Sequence, residues 1–250
     1  AQTAGADVAV ASAIELRHRP SAITAIGLGR RIGICEGAIE LGIGDPGERY
    51  VDRCATGNRQ AEERTGQQRL AAQPALQGGV QAVQLREKDL SVDELLPLAR
   101  ELRSLTCQYG ARLLINDNID VALAVGADGV HLGGHSQATE VVRRNIGMEM
   151  LIGVSTHNNG EIQTACEQGA DFVTFGPVYA TPSKAVYGAP QGLPALAEAC
   201  KNSTLPVFAL GGITSARADA VRAAGAHGIA LISAIIASSS PISAAKAFST

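Results

Sequence analysis

Residues 84 to 88 read Gln-Leu-Arg-Glu-Lys, so an apolar run ends by delivering two cations, Arg86 and Lys88, with Gln84 just inside it. Other apolar runs end in the same manner. Asn116 and Asp117 follow one, Ser155 and His157 another, and Thr181, Ser183 and Lys184 lie beyond a third. Gly211 and Gly212 close a fourth run and Ser233 a fifth. These types together suit a phosphorylated ligand: arginine forks onto phosphate oxygens, lysine supplies point charge, and glycines let backbone N–H groups approach. Asp117 beside the cations would suit a Mg²⁺ ion bridging a pyrophosphate. Taken singly, each feature has a plainer reading. A charged loop is usually solvated, Gly-Gly is usually a turn, Asn116-Asp117 could cap a helix and His157 could be structural. What favours a site is that all of them fall at the same end of successive runs.

Those runs are Ala82–Leu85, 113–116, Gly129–Leu132, 151–154, Phe172–Phe175, 206–210 and 228–232. They show little period-two alternation, as expected of parallel strands covered by helices. Between them stand helical stretches such as 92–110, whose apolar spacing ends at Gly110. Seven βα units in a row predict a parallel α/β sheet, doubly wound or closed as a barrel, with chemistry at the carboxyl ends of the strands. An eighth strand, needed for a (β/α)8 barrel, is expected before Gly78. The stretch 31–43 is the more strand-like candidate, at the cost of a long connection, and 60–77 is a candidate first helix weakened by Gly66 and Pro74. Residues 1–58 read as an extension, a remnant of another domain or a stretch in the wrong frame, and residues 59–250 as the barrel.

Composition narrows the function classes. The chain has 250 residues, 46% hydrophobic and 18% charged, with a formal net charge of −3 and no basic stripe, which speaks against nucleic acid. Its longest apolar stretch, 229–237, is about half of the roughly 20 residues a membrane helix needs, and no secretory leader pattern is present. The expectation is a cytoplasmic protein without a membrane partner. Five scattered cysteines, none spaced Cys-x-x-Cys, argue against a disulfide framework or structural zinc.

The motifs QLREK, INDNIDVALAVGADGVHLG, IGVSTH, FGPVYATPSK, ALGGIT and ISAI, in this order, resemble the thiamine phosphate synthase family and its relative the TenI-type thiazole tautomerase. The likeness spans about residues 76–238. It implies a (β/α)8 TIM barrel that joins hydroxymethylpyrimidine diphosphate to a thiazole phosphate with loss of pyrophosphate. It further implies that Gln84, Arg86, Lys88, Asn116, Ser155 and Lys184 hold the pyrimidine diphosphate, with Mg²⁺ on Asp117. Thr181, Pro182, Ser183, Gly212, Ile232 and Ser233 would hold the thiazole phosphate. Arg86, Lys88, Ser155 and Lys184 would act on the departing pyrophosphate. One stretch departs from the synthase pattern: HLGGHS places Ser136 where synthases usually carry a second Mg²⁺-binding Asp, and a neutral hydroxyl is a much weaker magnesium ligand. The tautomerase branch often carries a similar HS, and its histidine acid and base corresponds to His157. A non-catalytic barrel that binds thiamine precursors is a third reading. The implied partners are small phosphorylated molecules, and the resemblance leaves a homo-oligomer open.

Overall fold

Short strands and helices alternate along the chain. The computed structural model describes residues 38–41, 72–87, 90–181 and 189–248. In order these form β1 (Ala38–Leu41), α1 (72–77), β2 (Ala82–Leu85), α2 (Val92–Gln108), β3 (Arg112–Asn116), α3 (Ile119–Val125), β4 (Gly129–Leu132), α4 (Thr139–Ile146) and β5 (Leu151–Thr156). There follow α5 (Asn159–Glu167), β6 (Phe172–Phe175), α6 (Gly192–Asn202), β7 (Val207–Leu210), α7 (Ser215–Ala223), β8 (Gly228–Leu231), α8 (Ser233–Ile236) and α9 (Pro241–Lys246). Each of the seven apolar runs read from the sequence holds one strand, β2 to β8. Helix α2 begins where Ser91 and Glu94 close a capping box, the Ser91 backbone N–H donating to Glu94 Oε2 at 2.9 Å. It stops at Gln108, two residues before Gly110, which takes the left-handed conformation at φ 65°.

Strands β2 to β8 pair in parallel, each with the next, giving an α/β fold. Strand β1 pairs in parallel with β2 along its whole length, and Ala38 and Ile39 pair with Ala230 and Leu231 of β8. It lies inside the stretch 31–43.

Alternate residues of each strand face opposite ways, and the two faces bury different things. Val83, Leu113, Ile115, Val130, Ile152, Val173, Ala209 and Ile229 join one core with helix residues such as Leu98, Leu102, Val121, Ile162, Leu196 and Val221. Ala82, Leu114, Leu151, Phe172, Phe208 and Ala230 form a second cluster to which no helix contributes. The second face is therefore the inner one. Its aromatic pair, Phe172 and Phe208, meets edge to face with centroids 5.5 Å apart.

At the amino ends of the strands, two Gly-Ala-Asp sequences do the same work. Asp128, just before β4, accepts from Arg103 Nη1 at 2.6 Å, from Arg112 Nη1 at 2.8 Å and from the Leu113 backbone N–H at 2.8 Å. Asp171, just before β6, is paired with Arg143 and accepts from the Ile152 N–H at 2.7 Å. Each carboxylate satisfies a donor at the start of the neighbouring strand while gripping a helix-borne arginine. We expect Asp128→Ala to lower unfolding stability by about 2–3 kcal/mol, because it strands a strand N–H and two guanidinium groups. Urea unfolding monitored by far-UV circular dichroism measures this; an unchanged midpoint would mean that water replaces the carboxylate without loss.

Candidate active site

Two residues further along each strand from the apolar floor, the inner face turns polar. Gln84, Asn116, His131, Ser155 and Thr174 share the direction of Ala82, Leu114, Gly129, Gly153 and Phe172, and sit nearer the carboxyl ends. Asn116 stands beside His131, His131 beside Gly153, and Ser155 beside Thr174 in the strand register. Gln84 Nε2 donates to Asn116 Oδ1 at 3.4 Å, and Asn116 Nδ2 donates to Asp117 Oδ2 at 2.7 Å. His131 Nε2 lies 2.9 Å from Ser155 Oγ, which also accepts from Thr174 Oγ1 at 3.5 Å. Room for the imidazole comes from Gly153, where a Cβ would fall 2.7 Å from His131 Nδ1.

Asp117 is the one non-glycine residue with positive φ (58°) among the described residues. Aspartate tolerates this left-handed turn better than most residues. Its backbone N–H donates to His131 O at 3.0 Å. One carboxylate oxygen accepts from Asn116 and the other from the Ser136 hydroxyl, which itself accepts from the Gly133 N–H at 2.6 Å. The plainer reading of Asn116-Asp117 as a helix cap fails here, since Asn118 caps α3 by accepting from the Val121 N–H at 3.0 Å. Both residues are left to the site.

His157 follows β5 and is exposed. It is not a cap either, because Asn158 caps α5. Its Nδ1 lies 2.5 Å from Gly176 O, and a carbonyl only accepts, so Nδ1 carries a proton and Nε2 is the ring nitrogen left to exchange one. The Gly211-Gly212 turn, with φ of 99° and 63°, sits under the segment 177–180. A Cβ on Gly211 would fall 2.6 Å from Pro177 Cβ, and one on Gly212 would fall 2.6 Å from Ala180 O. Close approach of another backbone therefore demands both glycines. Arg86, in the loop after β2, and Thr181, in the loop after β6, are half-buried, and Ile232 and Ser233 lie at the junction of β8 and α8. Lys88, Pro182, Ser183 and Lys184 lie outside the described residues. Among the described residues, no group of three or more His, Cys, Asp or Glu side chains gathers as a metal cage, and no helix is long and apolar enough to cross a membrane.

His131 and Thr174 are site residues that the motif reading did not single out. The signal was in the text. A histidine in GVHL and a threonine in FVTF each fall two positions after an inward-facing residue.

Burial holds the His131 imidazole well below the ordinary histidine range, at about 4 against 6.5; the Asp117 carboxylate opposes this and the Arg86 guanidinium adds to it. The ring is neutral at physiological pH. Between pH 6.5 and about 4 the unfolded chain gains a proton on this residue that the folded protein does not, so stability falls as pH drops through that window and levels off below it. The contribution is on the order of 3 kcal/mol. His131→Gln should flatten the dependence of urea midpoints on pH between 7 and 4; parallel profiles for the two proteins would contradict a neutral buried imidazole.

Comparison with known proteins points to one family. Residues 57–235 match the family described as thiamine monophosphate synthase. A Geobacter sulfurreducens protein provisionally named a thiamine-phosphate synthase is 58% identical over 173 residues, 69% of this chain and 81% of its own. The thiamine-phosphate synthase of a Roseiflexus species is 44% identical over 69% of this chain and 73% of its own. Among solved structures, the thiamine phosphate pyrophosphorylase from Pyrococcus furiosus superposes with a TM-score of 0.68 at 32% identity, over 76% of this chain and 89% of that one. With the family match covering most of its length, the chain belongs to the thiamine monophosphate synthase family.

Proposed function

We propose that this protein condenses hydroxymethylpyrimidine diphosphate with a thiazole phosphate, giving thiamine phosphate and pyrophosphate, and that it does so in the cytoplasm. The observation that carries the reading is the polar layer of Gln84, Asn116, His131, Ser155 and Thr174 above an apolar floor, opening toward Arg86 and Asp117. Residues 59–250 carry the site. Pairing of Ala38–Leu41 with both β2 and β8 supports a complete (β/α)8 barrel, with that strand supplied from the segment before residue 59.

In the reaction, the bond between the pyrimidine methylene carbon and the diphosphate oxygen breaks, and the thiazole nitrogen forms a bond to the same carbon. Departure is difficult because negative charge collects on the leaving pyrophosphate. Arg86, Lys88 and Lys184 are assigned to neutralise it, with Asn116 and the Ser155 hydroxyl donating to its oxygens. A neutral His131 and Thr174 fix the Ser155 hydroxyl, so that little reorganisation is needed when the charge develops. Gln84 is assigned to the pyrimidine diphosphate. Thr181, Pro182, Ser183, Gly212, Ile232 and Ser233 are assigned to the thiazole phosphate. No protein nucleophile is required, because the incoming nitrogen supplies the electron pair.

The donors around Asp117 fit Mg²⁺, which keeps several waters and is usually held by one or two carboxylates plus substrate phosphates. Asp117 supplies the carboxylate, and Ser136, hydrogen-bonded to it, offers a neutral oxygen. When bound, the ion would add positive charge against the diphosphate.

A second reading is favoured by one observation. The exposed His157 ring, with Nδ1 held to Gly176 O, leaves Nε2 as the nitrogen that could exchange a proton with substrate, which suits a TenI-like shift of a proton on a thiazole carboxylate phosphate.

Purified protein given both substrates and Mg²⁺ should release pyrophosphate in step with thiamine phosphate, and chelation should stop it. Asp117→Ala, which removes the carboxylate that would hold Mg²⁺, and Lys184→Ala, which removes a cation assigned to the leaving group, should each lower kcat/KM by about 100-fold. Unchanged condensation in these variants would remove those assignments. Folded protein that forms no thiamine phosphate but isomerises the thiazole carboxylate phosphate would establish the second reading instead.

A further inference from the structure

The turn after β7 is gripped from a side that the condensation chemistry does not use. Arg217 stands in the first turn of α7, where no acidic residue is present. A cation there opposes the helix dipole, so local helix preference does not explain it. Two contacts do. Arg217 Nη1 donates to Gly212 O at 2.7 Å, and the guanidinium carbon lies 4.4 Å from the centre of the Tyr179 ring. Tyr179 in turn lies directly over the Gly211-Gly212 turn. Its backbone N–H donates to Gly211 O at 3.0 Å, Val178 N–H donates to Leu210 O at 2.8 Å, and a Cβ on Gly212 would fall 2.8 Å from Tyr179 Cβ. Three elements meet at one guanidinium: the segment leaving β6, the turn leaving β7 and the start of α7. The planar guanidinium lies over the ring and donates to the carbonyl at once, whereas a lysine ammonium is a compact point charge that does not span both contacts in the same way.

We infer that Arg217 is a positioning residue for the thiazole phosphate: by clamping Tyr179 onto the Gly211-Gly212 turn, it fixes the relation between that turn and Thr181. This rests on the assignment of Gly212 and Thr181 to the thiazole phosphate made above. Arg217 touches none of Gln84, Asn116, Asp117 or Ser155, so its loss should be felt by one substrate and not the other.

The test is steady-state kinetics with each substrate varied in turn, for wild type, Arg217→Ala, Arg217→Lys, Tyr179→Leu and the double variant Arg217→Ala/Tyr179→Leu. Arg217→Met, which keeps the apolar stem, stands in if the alanine variant does not fold. Arg217→Ala should raise KM for the thiazole phosphate by about 5- to 20-fold, with KM for the pyrimidine diphosphate within about twofold. Arg217→Lys should recover only part of the loss. Tyr179→Leu should reproduce it, and the double variant should be no worse than either single one, since both remove one interaction. Equal changes in both KM values, no change in either, or multiplying effects in the double variant would overturn the inference. If wild type makes no thiamine phosphate, the condensation reading falls and calorimetric titration with thiazole phosphate decides for Arg217. Binding weakened about 5- to 20-fold in Arg217→Ala would uphold the positioning role, and equal affinity or no binding to wild type would overturn it.

Discussion

A buried polar side chain must find its hydrogen bonds inside the protein or in a ligand, and this requirement organises the centre of the molecule. Gln84, His131 and Thr174 are each less than a tenth exposed, on a face that no helix covers. They meet the requirement partly among themselves, in two groups that both end at the strand termini. Gln84 reaches Asn116 and through it Asp117, while Thr174 and His131 converge on the Ser155 hydroxyl. Further along the same direction, the lone pairs and donors left over face outward from the strand ends. A site for a polar ligand is where such an inner layer is left open.

The layering follows from strand parity and from where small residues fall. Phe172 and Phe208 fill the floor because the residues paired with them, Gly153 and Gly228, carry no side chain on the same face. The same Gly153 makes room for His131, so one glycine separates the apolar floor from the polar layer. Desolvation then keeps the imidazole neutral, which suits a group that orients a hydroxyl and would be ill-suited to a general acid. Stability resides at the opposite ends of the strands, where Asp128 and Asp171 tie arginines from α2 and α4 to strand backbone. Separating the two lets the loops at the carboxyl ends vary in composition without loosening the sheet.

Ser136 also shows how one side chain sets the surroundings of another. A second carboxylate at that position would repel Asp117 unless a cation lay between them. The hydroxyl instead donates to Asp117 and accepts from Gly133 N–H, which fixes the position of one carboxylate oxygen. The aspartate is thereby kept in a left-handed turn that a single like-charged neighbour would not have stabilised.

The apolar runs, their order and the polar residues at their ends were legible in the sequence, because a strand buried by helices needs a continuous apolar run and any break in it is conspicuous. The seven strands β2 to β8 stand where those runs stand, and Asn116, Asp117, Ser155 and Gly212 lie at their ends. What the text could not decide was which neighbour each polar group faces. Gly110 is visible as a stop, but that Asn118 and Asn158 take the capping roles, leaving Asn116, Asp117 and His157 without them, depends on local geometry. His131 and Thr174 sat inside apolar runs and passed as strand residues, since only the register across strands sets them beside Asn116 and Ser155. The Gly-Gly turn was readable as glycine. That Pro177, Tyr179 and Ala180 press against it, with Arg217 from a different helix closing the contact, is a matter of residues distant in the chain brought together, and sequence spacing carries no record of such approach.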